Sequence, residues 1–261
     1  MRKLAILLGA CAAFFALAAL AFASATTTVS YTSPIKQKGK PAKGKPANLT
    51  YTGILDVKNT DGTQPPTAPT TKIFFAKQLV NNAKHFPSCK VSDIDGKTSI
   101  PSKCKKALVG KGTAASQAGT PGTVAPINEN LAVTAYNGNR GKQILLVLNA
   151  SSPVAIQNRV IPGTIGRGAK GFGYSVTFKV PPDLQSQLGL QISLTHFNVV
   201  FPSSKTVKVK KHGKTQKVSY LQISSCPKSK KLPVKAVVTF NQDNGQPGGG
   251  SKTFSTTTRC K

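Results

Sequence analysis

Apolar and polar residues alternate along much of the chain after residue 48, in short runs with a period of two. In the run that begins at Gly173, the residues Tyr174, Val176, Phe178 and Val180 all fall on one face. Such alternation is typical of a β-strand with one buried face, and no stretch shows a sustained helical period. The pattern predicts strands over Tyr51–Val57, Lys72–Leu79, Leu131–Tyr136, Gln143–Leu148, Gly173–Val180, Gln191–Phe201, Lys217–Ile223, Val234–Phe240 and Thr253–Thr257.

Turn-forming residues separate these runs. Asn137–Asn139, His212–Lys214 and Asp243–Gly245 each place a glycine beside a polar residue, which favours tight hairpin turns. Many short strands at this spacing predict an all-β fold, an antiparallel β-sandwich of about nine to eleven strands. Residues 110–128, rich in Gly and small residues, are interpreted as a long surface loop.

One predicted strand changes its apolar face partway along. Ile192 and Leu194 share a face with His196, whereas Phe197 and Val199 lie on the other face. An extra residue on one strand would produce such a switch, so we expect a β-bulge near His196.

The N-terminus has the three parts of a secretory signal peptide. A positively charged start is followed by an apolar run from Leu4 to Ala23, which ends in small residues and then polar threonines. We expect cleavage after Ala25, which leaves no transmembrane span and a protein that is secreted or associated with the cell envelope. The alternative is an uncleaved membrane anchor, since about twenty apolar residues can just span a bilayer.

Residues 26–47 are predicted to form a disordered basic arm that precedes a β-domain over residues 48–261. The sequence Lys-Gly-Lys-Pro-Ala occurs twice in succession, at residues 38–42 and 43–47. Pro and Gly interrupt regular structure, and like charges repel, so we expect an extended segment. Its functional interpretation is contact with an anionic polymer through Lys38, Lys40, Lys43 and Lys45, and its alternative is a solvated spacer.

Charge changes the picture most. The chain carries 36 Lys and Arg against 7 Asp and Glu, a formal net charge of +29. A second basic cluster lies in a predicted hairpin and contains Lys208, Lys210, Lys211, Lys214 and Lys217. Lysine is a hydrated point charge, so its excess favours diffuse attraction to anionic cell-surface polymer or phospholipid headgroups.

Nucleic acid is an unlikely partner. Single-stranded nucleic acid binds to basic surfaces on which aromatic side chains stack the bases. Here Trp is absent, and Tyr220 is the only aromatic residue near the second basic cluster. An exported protein also rarely meets nucleic acid as its main partner.

Four cysteines follow the predicted signal peptide: Cys89, Cys104, Cys226 and Cys260. An even number in an exported protein favours two disulfides, for which three pairings are possible. Cys89–Cys104 and Cys226–Cys260 are preferred, because each pair brackets a short, turn-rich or hairpin-like segment. No Cys-x-x-Cys spacing supports a metal site, and we expect no cofactor.

The sequence contains no recognisable catalytic motif, so a non-enzymatic role is predicted. No Gly-x-Ser-x-Gly turn is present, and the seven acids and three histidines are scattered. One alternative is a carbohydrate or small-ligand binding module that uses Tyr136, Phe172 or Tyr174 on a sheet face. A further alternative is an unrecognised hydrolase that uses Asp93, Asp95 and His196.

Short cysteine-containing segments also carry a family resemblance. They are Phe86-Pro87-Ser88-Cys89, Cys104 followed by Val109–Ala114, Ser224-Ser225-Cys226-Pro227, and a Thr-rich strand that ends at Cys260. Over residues 48–261 the chain resembles a group of uncharacterised secreted proteins of high-GC actinobacteria. The resemblance implies secretion, two disulfides and a β-domain, and it implies no activity.

Overall fold

The computed structural model describes residues 26–42, 44–120, 122–124, 126–211, 213–241 and 249–260; for Lys211 it describes only the backbone. The predicted signal peptide, Lys43 and the turn at Asp243–Gly245 lie outside the described residues. Among the residues described, no helix has the length and apolar character needed to cross a membrane.

The described chain is almost entirely β-structure. A single short α-helix, α1, covers Ser102–Lys105, and one-turn 3-10 helices cover Ala83–His85, Val91–Asp93, Asn139–Gly141 and Pro182–Leu184. The strands are β1 (Thr27–Thr32), β2 (Ile35–Lys38), β3 (Ala47–Asn59), β4 (Thr70–Ala76), β5 (Leu79–Asn81), β6 (Leu108–Gly119), β7 (Ile127–Gly138), β8 (Gln143–Ala150), β9 (Ile156–Arg167), β10 (Phe172–Lys179), β11 (Ser186–Gln187), β12 (Leu190–Phe201), β13 (Thr206–Lys211), β14 (Lys214–Ser219), β15 (Leu221–Ile223), β16 (Lys231–Phe240) and β17 (Gly250–Arg259).

Fifteen strands form one antiparallel sheet in the order β17-β16-β4-β10-β9-β8-β7-β6-β12-β3-β15-β5, with β1 and β2 added to β3 and β11 to β12. The two halves of this sheet face each other. The Tyr51 ring of β3 lies 5.5 Å from the Phe75 ring of β4, although these strands are not neighbours in the sheet. Leu55 of β3 likewise shares a buried cluster with Val234 and Ala236 of β16. The predicted all-β, sandwich-like fold is therefore confirmed.

Two central strands, β6 and β9, were not predicted from the sequence. The prediction of a surface loop at residues 110–128 is wrong, because residues 108–119 form β6, between β7 and β12. Its small residues serve close packing: a Cβ on Gly112 would lie 1.8 Å from the carbonyl oxygen of Asn198 on β12. β9 was also missed, since Pro162 and Gly163 interrupt its apolar pattern.

The predicted bulge in β12 is confirmed. Its register against β6 passes from Leu194 opposite Ser116 to His196 opposite Ala115, so one residue of β12 is unpaired. The bulge returns Phe197 and Val199 to the inner face after Leu194, which is why all three side chains line the same interior.

Part of the predicted flexible arm is in fact ordered. β1 and β2 pair with β3 along its length, Val29 opposite Val57 and Ile35 opposite Tyr51. Apolar and polar residues alternate along β1 and place Tyr31 in the core. This burial stabilises the pairing of the segment in spite of the nearby lysines. The Lys/Gly/Pro repeat itself holds only an isolated bridge between Ala42 and Lys45.

Both preferred disulfides are present. Cys89 and Cys104 have Cα atoms 5.1 Å apart, and Cys226 and Cys260 have Cα atoms 5.7 Å apart. The first disulfide staples the segment 89–104 over the outer face of the sheet, where Tyr136 is buried beneath it. The second ties the end of β17 to the segment that precedes β16.

Charge is distributed unevenly between the two ends of the strands. Several connections meet at one end, which we call the charge-poor end; their described residues are 60–69, 120, 122–124, 126, 151–155 and 180–189. These described residues include no Lys or Arg, and their acids are Asp61 and Asp183. The basic hairpin and the Lys/Gly/Pro repeat connect strands at the opposite end.

Candidate functional site: an apolar cavity between the sheet halves

An apolar cavity of about 160 Å³ lies between the two halves of the sheet. Its walls come from inward-facing residues of β3, β4, β6, β7, β8, β9, β10 and β12, which include Leu55, Ile73, Leu131, Leu146, Ile161, Phe178, Leu194 and Phe197. Phe178, Leu194 and Phe197 are only half-buried although they face inward, because they border this space. An apolar cavity of about 150 Å³ in another protein is large enough to bind benzene.

One wall of the cavity depends on a glycine. Gly163 of β9 stands opposite Phe178 of β10, and a Cβ at Gly163 would lie 2.3 Å from the Phe178 ring. The missing side chain therefore leaves room for the Phe178 ring at the cavity wall.

Two tyrosines contribute hydroxyl groups to the cavity wall. The hydroxyl oxygens of Tyr31 and Tyr51 lie 2.5 Å apart and share a hydrogen bond inside the core. Burial raises the pKa of Tyr31 to about 12 and that of Tyr51 well above its ordinary value, so both are neutral hydroxyls at physiological pH. Tyr174, stacked on Phe75 with ring centroids 4.7 Å apart, extends the aromatic part of this core.

Buried amides hold the connections that cover the two ends of the interior. At the charge-poor end, Gln64 donates to the carbonyl of Gln191 and to the Ser193 hydroxyl, both on β12. At the opposite end, Asn137 donates to carbonyls of the 83–87 segment and accepts a hydrogen bond from Tyr220. Hydrogen bonds therefore fix segments at both ends of the interior, and the segment at the charge-poor end also lines the cavity through Thr67 and Ala68.

Glu129 is the one buried acid among the described residues, and it adjoins the cavity. It lies on the inner face of β7, two residues before Leu131, and pairs directly with Ser116 of β6. Both Leu131 and Ser116 line the cavity. Glu129 is only 4% exposed, and desolvation raises the pKa of its carboxyl, against a smaller lowering by the Val154 N–H, which donates to it.

The predicted basic hairpin exists as a separate two-stranded sheet of β13 and β14. Lys208 stands directly opposite Lys217, and Lys210 lies on the same face, all three exposed. Lys214 is exposed on the other face, where it pairs with Lys211.

The arm lysines lie elsewhere. Lys38 is opposite Asn48 at the end of β2, and Lys40 lies beside Cys226 in a shallow surface depression. Lys38, Lys40 and Lys45 are exposed. The Asn48 side chain also accepts a hydrogen bond from the N–H of Ser219 at the base of the hairpin. Both basic clusters therefore approach the same end of β3.

The hydrolase candidates are not brought together. Asp93 pairs with Lys103 at 3.0 Å, which lowers the pKa of the Asp93 carboxyl, and Asp95 pairs with Arg159 at 3.1 Å. Nδ1 of His196 lies 2.6 Å from Oδ1 of Asp56, with both side chains well exposed.

A cluster of Cys89, Asp93 and Cys104 has the ligand types of a metal site. The two sulfur atoms are bonded to each other, however, so neither is a free thiolate ligand.

The aromatic residues proposed for a ligand-binding sheet face are also dispersed. Tyr136 is buried beneath the segment 89–104, and Tyr174 faces the interior. Phe172 is half-buried on the outer surface, with the Lys235 ammonium 5.7 Å from its ring centroid. The interior site was thus not predicted from the sequence. Its signal is the alternation along residues 129–135, which places Glu129, Leu131, Val133 and Ala135 on one face.

Comparison with known proteins identifies no family. No family model and no curated protein matches the chain. A solved structure described as "AvmM Catalyzes Macrocyclization in Alchivemycin A Biosynthesis" is similar over 88% of each chain, with 10% sequence identity and a TM-score of 0.26. A likeness at that score carries no argument about activity.

Proposed function

We propose that this protein is an exported, non-enzymatic binding protein that holds a small, largely apolar molecule between the halves of its sheet. The cavity of about 160 Å³ carries the proposal. Protein interiors pack as densely as organic crystals and contain few voids larger than a water molecule. A cavity of this size forfeits packing energy, and a bound apolar molecule would restore the missing contacts.

The size and lining of the cavity define the ligand class. The walls are aliphatic and aromatic, with hydroxyls contributed by Tyr31, Tyr51, Thr67, Thr71 and Ser116. Such a surface favours a monocyclic aromatic or short branched aliphatic compound with at most a few polar atoms. A polysaccharide chain does not suit this small apolar site.

Calorimetric titration with ethylbenzene and 2-phenylethanol tests the proposal. We expect saturable binding to the wild-type protein and loss of binding in the Gly53→Leu variant, because Gly53 lines the cavity and leucine would fill it. The Gly53→Ala variant, which adds one carbon, serves as the matched control and should still bind. If neither compound binds the wild type at millimolar concentration, the proposed function is wrong.

The basic hairpin favours a second role, association with anionic cell-surface polymer or phospholipid headgroups. Lys208 and Lys217 face each other directly, an arrangement that costs free energy unless solvent or an anion screens it. The exposed Lys210 adds to the same face. Binding of this kind works by charge neutralisation and weakens as salt is raised.

Cell fractionation at low and high salt tests this second role. We expect high salt to release the protein from the envelope. If the protein stays in the envelope fraction at both salt concentrations, electrostatic attachment is refuted. Replacing Lys208, Lys210 and Lys217 by Gln should lower the salt concentration needed for release. The matched control replaces three exposed lysines elsewhere, Lys58, Lys97 and Lys228, and keeps the same net charge.

We also propose that the mature protein begins at Thr26 after removal of the signal peptide. Two disulfides support an oxidising, extracytoplasmic location. N-terminal sequencing of the protein recovered from native cells or medium tests this directly. An N-terminus at Met1 would indicate the uncleaved anchor.

A further inference from the structure

Glu129 occupies an unusual position for a carboxylate. It is the only glutamate of the chain, and it lies on the inner face of β7 in line with Leu131. Asn128 and Asn130 on either side of it are exposed. Its cross-strand partner is Ser116, which lines the cavity. Glu129 therefore lies next to the charge-poor end of the cavity, beside two residues, Leu131 and Ser116, that line it.

Among the described residues, no cationic side chain forms an ion pair with the Glu129 carboxylate. The N–H of Val154 donates to the carboxylate, whereas Oε1 of Glu129 is buried with no hydrogen-bond partner. The ion pairs of the described residues use Asp56, Asp93, Asp95 and Asp183.

The surrounding sequence offers no cation either. Residues 112–128 and 143–158, which precede Glu129 and supply the Val154 loop, contain no Lys, Arg or His. In a chain with 36 Lys and Arg, the one buried acid of the described residues thus lies between sequence segments that contain no basic residue.

An unpaired buried carboxylate is costly. Taking a charge out of water costs several kcal/mol, in order of magnitude, unless a counter-charge and hydrogen bonds replace the lost hydration. Titratable groups kept in such surroundings cluster at functional sites, where a ligand supplies the missing partner. A cationic nitrogen is the group that complements a carboxylate both in charge and as a hydrogen-bond donor.

We infer that the ligand of the cavity is an amphipathic amine, whose apolar body lies between the sheet halves and whose ammonium group binds Glu129 beside Ser116. This inference rests on the proposed function. It assigns Glu129 as the residue that sets ligand orientation and specificity. The aliphatic and aromatic walls accept the body of the ligand without discriminating its polar end.

Three compounds with similar apolar bodies test the inference: 2-phenylethylamine, 2-phenylethanol and phenylacetate. Each is titrated calorimetrically into the disulfide-bonded wild-type protein at pH 7 and low salt. We expect the amine to bind at least about tenfold more tightly than the alcohol, since a charge-assisted hydrogen bond contributes more than a neutral one. The carboxylate should bind more weakly than the alcohol because it is repelled by Glu129.

The Glu129→Gln variant provides the decisive comparison. It keeps the shape of the side chain, so affinity for 2-phenylethanol should stay within about threefold, whereas the preference for the amine should disappear. Ser116→Ala is the second variant, and it should reduce the preference only partly.

The outcomes separate the two proposals. If the alcohol binds but the amine binds no better, or if Glu129→Gln keeps the preference for the amine, this inference is overturned while the proposed function stands. If none of the three compounds binds, the proposed function fails as well. Binding of the alcohol, together with tighter binding of the amine whose preference is lost in Glu129→Gln, supports both.

Discussion

Filling the cavity should stabilise the protein, and Gly53 is the position at which to do it. This glycine lies in the middle of β3 and lines the cavity. A Cβ built there would lie 3.5 Å from a ring carbon of Tyr51 and 3.8 Å from the Tyr31 hydroxyl, which are ordinary contact distances. The backbone of Gly53 has no positive φ, so an L side chain is compatible with it.

The magnitude follows from three contributions. Replacing a strand glycine by alanine removes an entropic cost of about 0.5–1 kcal/mol. The three further carbons of leucine contribute about 0.8 kcal/mol each when buried, offset by about 0.5–1 kcal/mol of lost rotamer freedom. We therefore expect Gly53→Leu to raise the free energy of unfolding by about 2 kcal/mol. For a chain of this size, that corresponds to a rise in Tm of about 4–8 °C.

Thermal and urea unfolding of the oxidised protein measure this effect, with Gly112→Ala as the contrasting variant. Gly112 is also a strand glycine, but a Cβ there would lie 1.8 Å from the Asn198 carbonyl oxygen, so strands β6 and β12 would have to separate. We expect that variant to lose at least about 2 kcal/mol.

A destabilised Gly53→Leu variant would show that the interior lacks room for four carbons, and the argument for a ligand cavity would fail. Equal effects at Gly53 and Gly112 would show that strand glycines alone, and not the cavity, determine the response.

Three further predictions concern a buried charge, a disulfide and a buried hydrogen bond. Burial raises the pKa of Glu129 above its ordinary value, so ionisation of this carboxyl opposes folding. The protein has its full stability below the ordinary glutamate pKa, where Glu129 is protonated in both the folded and the unfolded state. It loses stability as the pH rises through the raised pKa of the folded state. Glu129→Gln should therefore raise Tm at pH 7–8 and leave it unchanged near pH 4, and a pH-independent gain would contradict this explanation. Replacing Cys226 and Cys260 by Ser should cost about 3–4 kcal/mol of unfolding free energy, because the disulfide closes a long loop; unfolding curves that coincide with those of the wild type would refute this. Tyr51→Phe should cost about 1–3 kcal/mol in urea unfolding, since it leaves the Tyr31 hydroxyl buried without its partner, and a stability equal to that of the wild type would argue against a hydrogen bond between the two hydroxyls.

The basic clusters show how far local sequence reasoning reaches. The turn at Gly213, with φ of +75°, joins β13 and β14 as the hairpin pattern predicted, since both the turn and the alternation are local properties. The prediction of a disordered arm over residues 26–47 is wrong for β1, because it rested on the lysines and prolines of that segment. The deciding contact, Tyr31 against Tyr51, joins residues twenty positions apart.

The candidate site could not be predicted in the same way. Leu131, Ser116 and Leu194 come from three separate strands, and only the pairing of β6 with both β7 and β12 brings them to one wall. The sequence places Glu129 in an alternating apolar run, which indicates an inward-facing carboxyl. It does not show whether any basic residue folds next to that carboxyl.

Taken by itself, the sequence determined the all-β class and the bulge near His196 and favoured the two disulfide pairs that are present, because strand alternation and short loop closure act over neighbouring residues. The tertiary structure decided that β6 is a central strand, that β1 and β2 join the sheet, and that the two halves enclose a cavity. Those outcomes depend on which distant strands pair and on how closely they approach. That approach is set at positions such as Gly112 and Gly163 by atoms of other strands, which the local pattern does not contain.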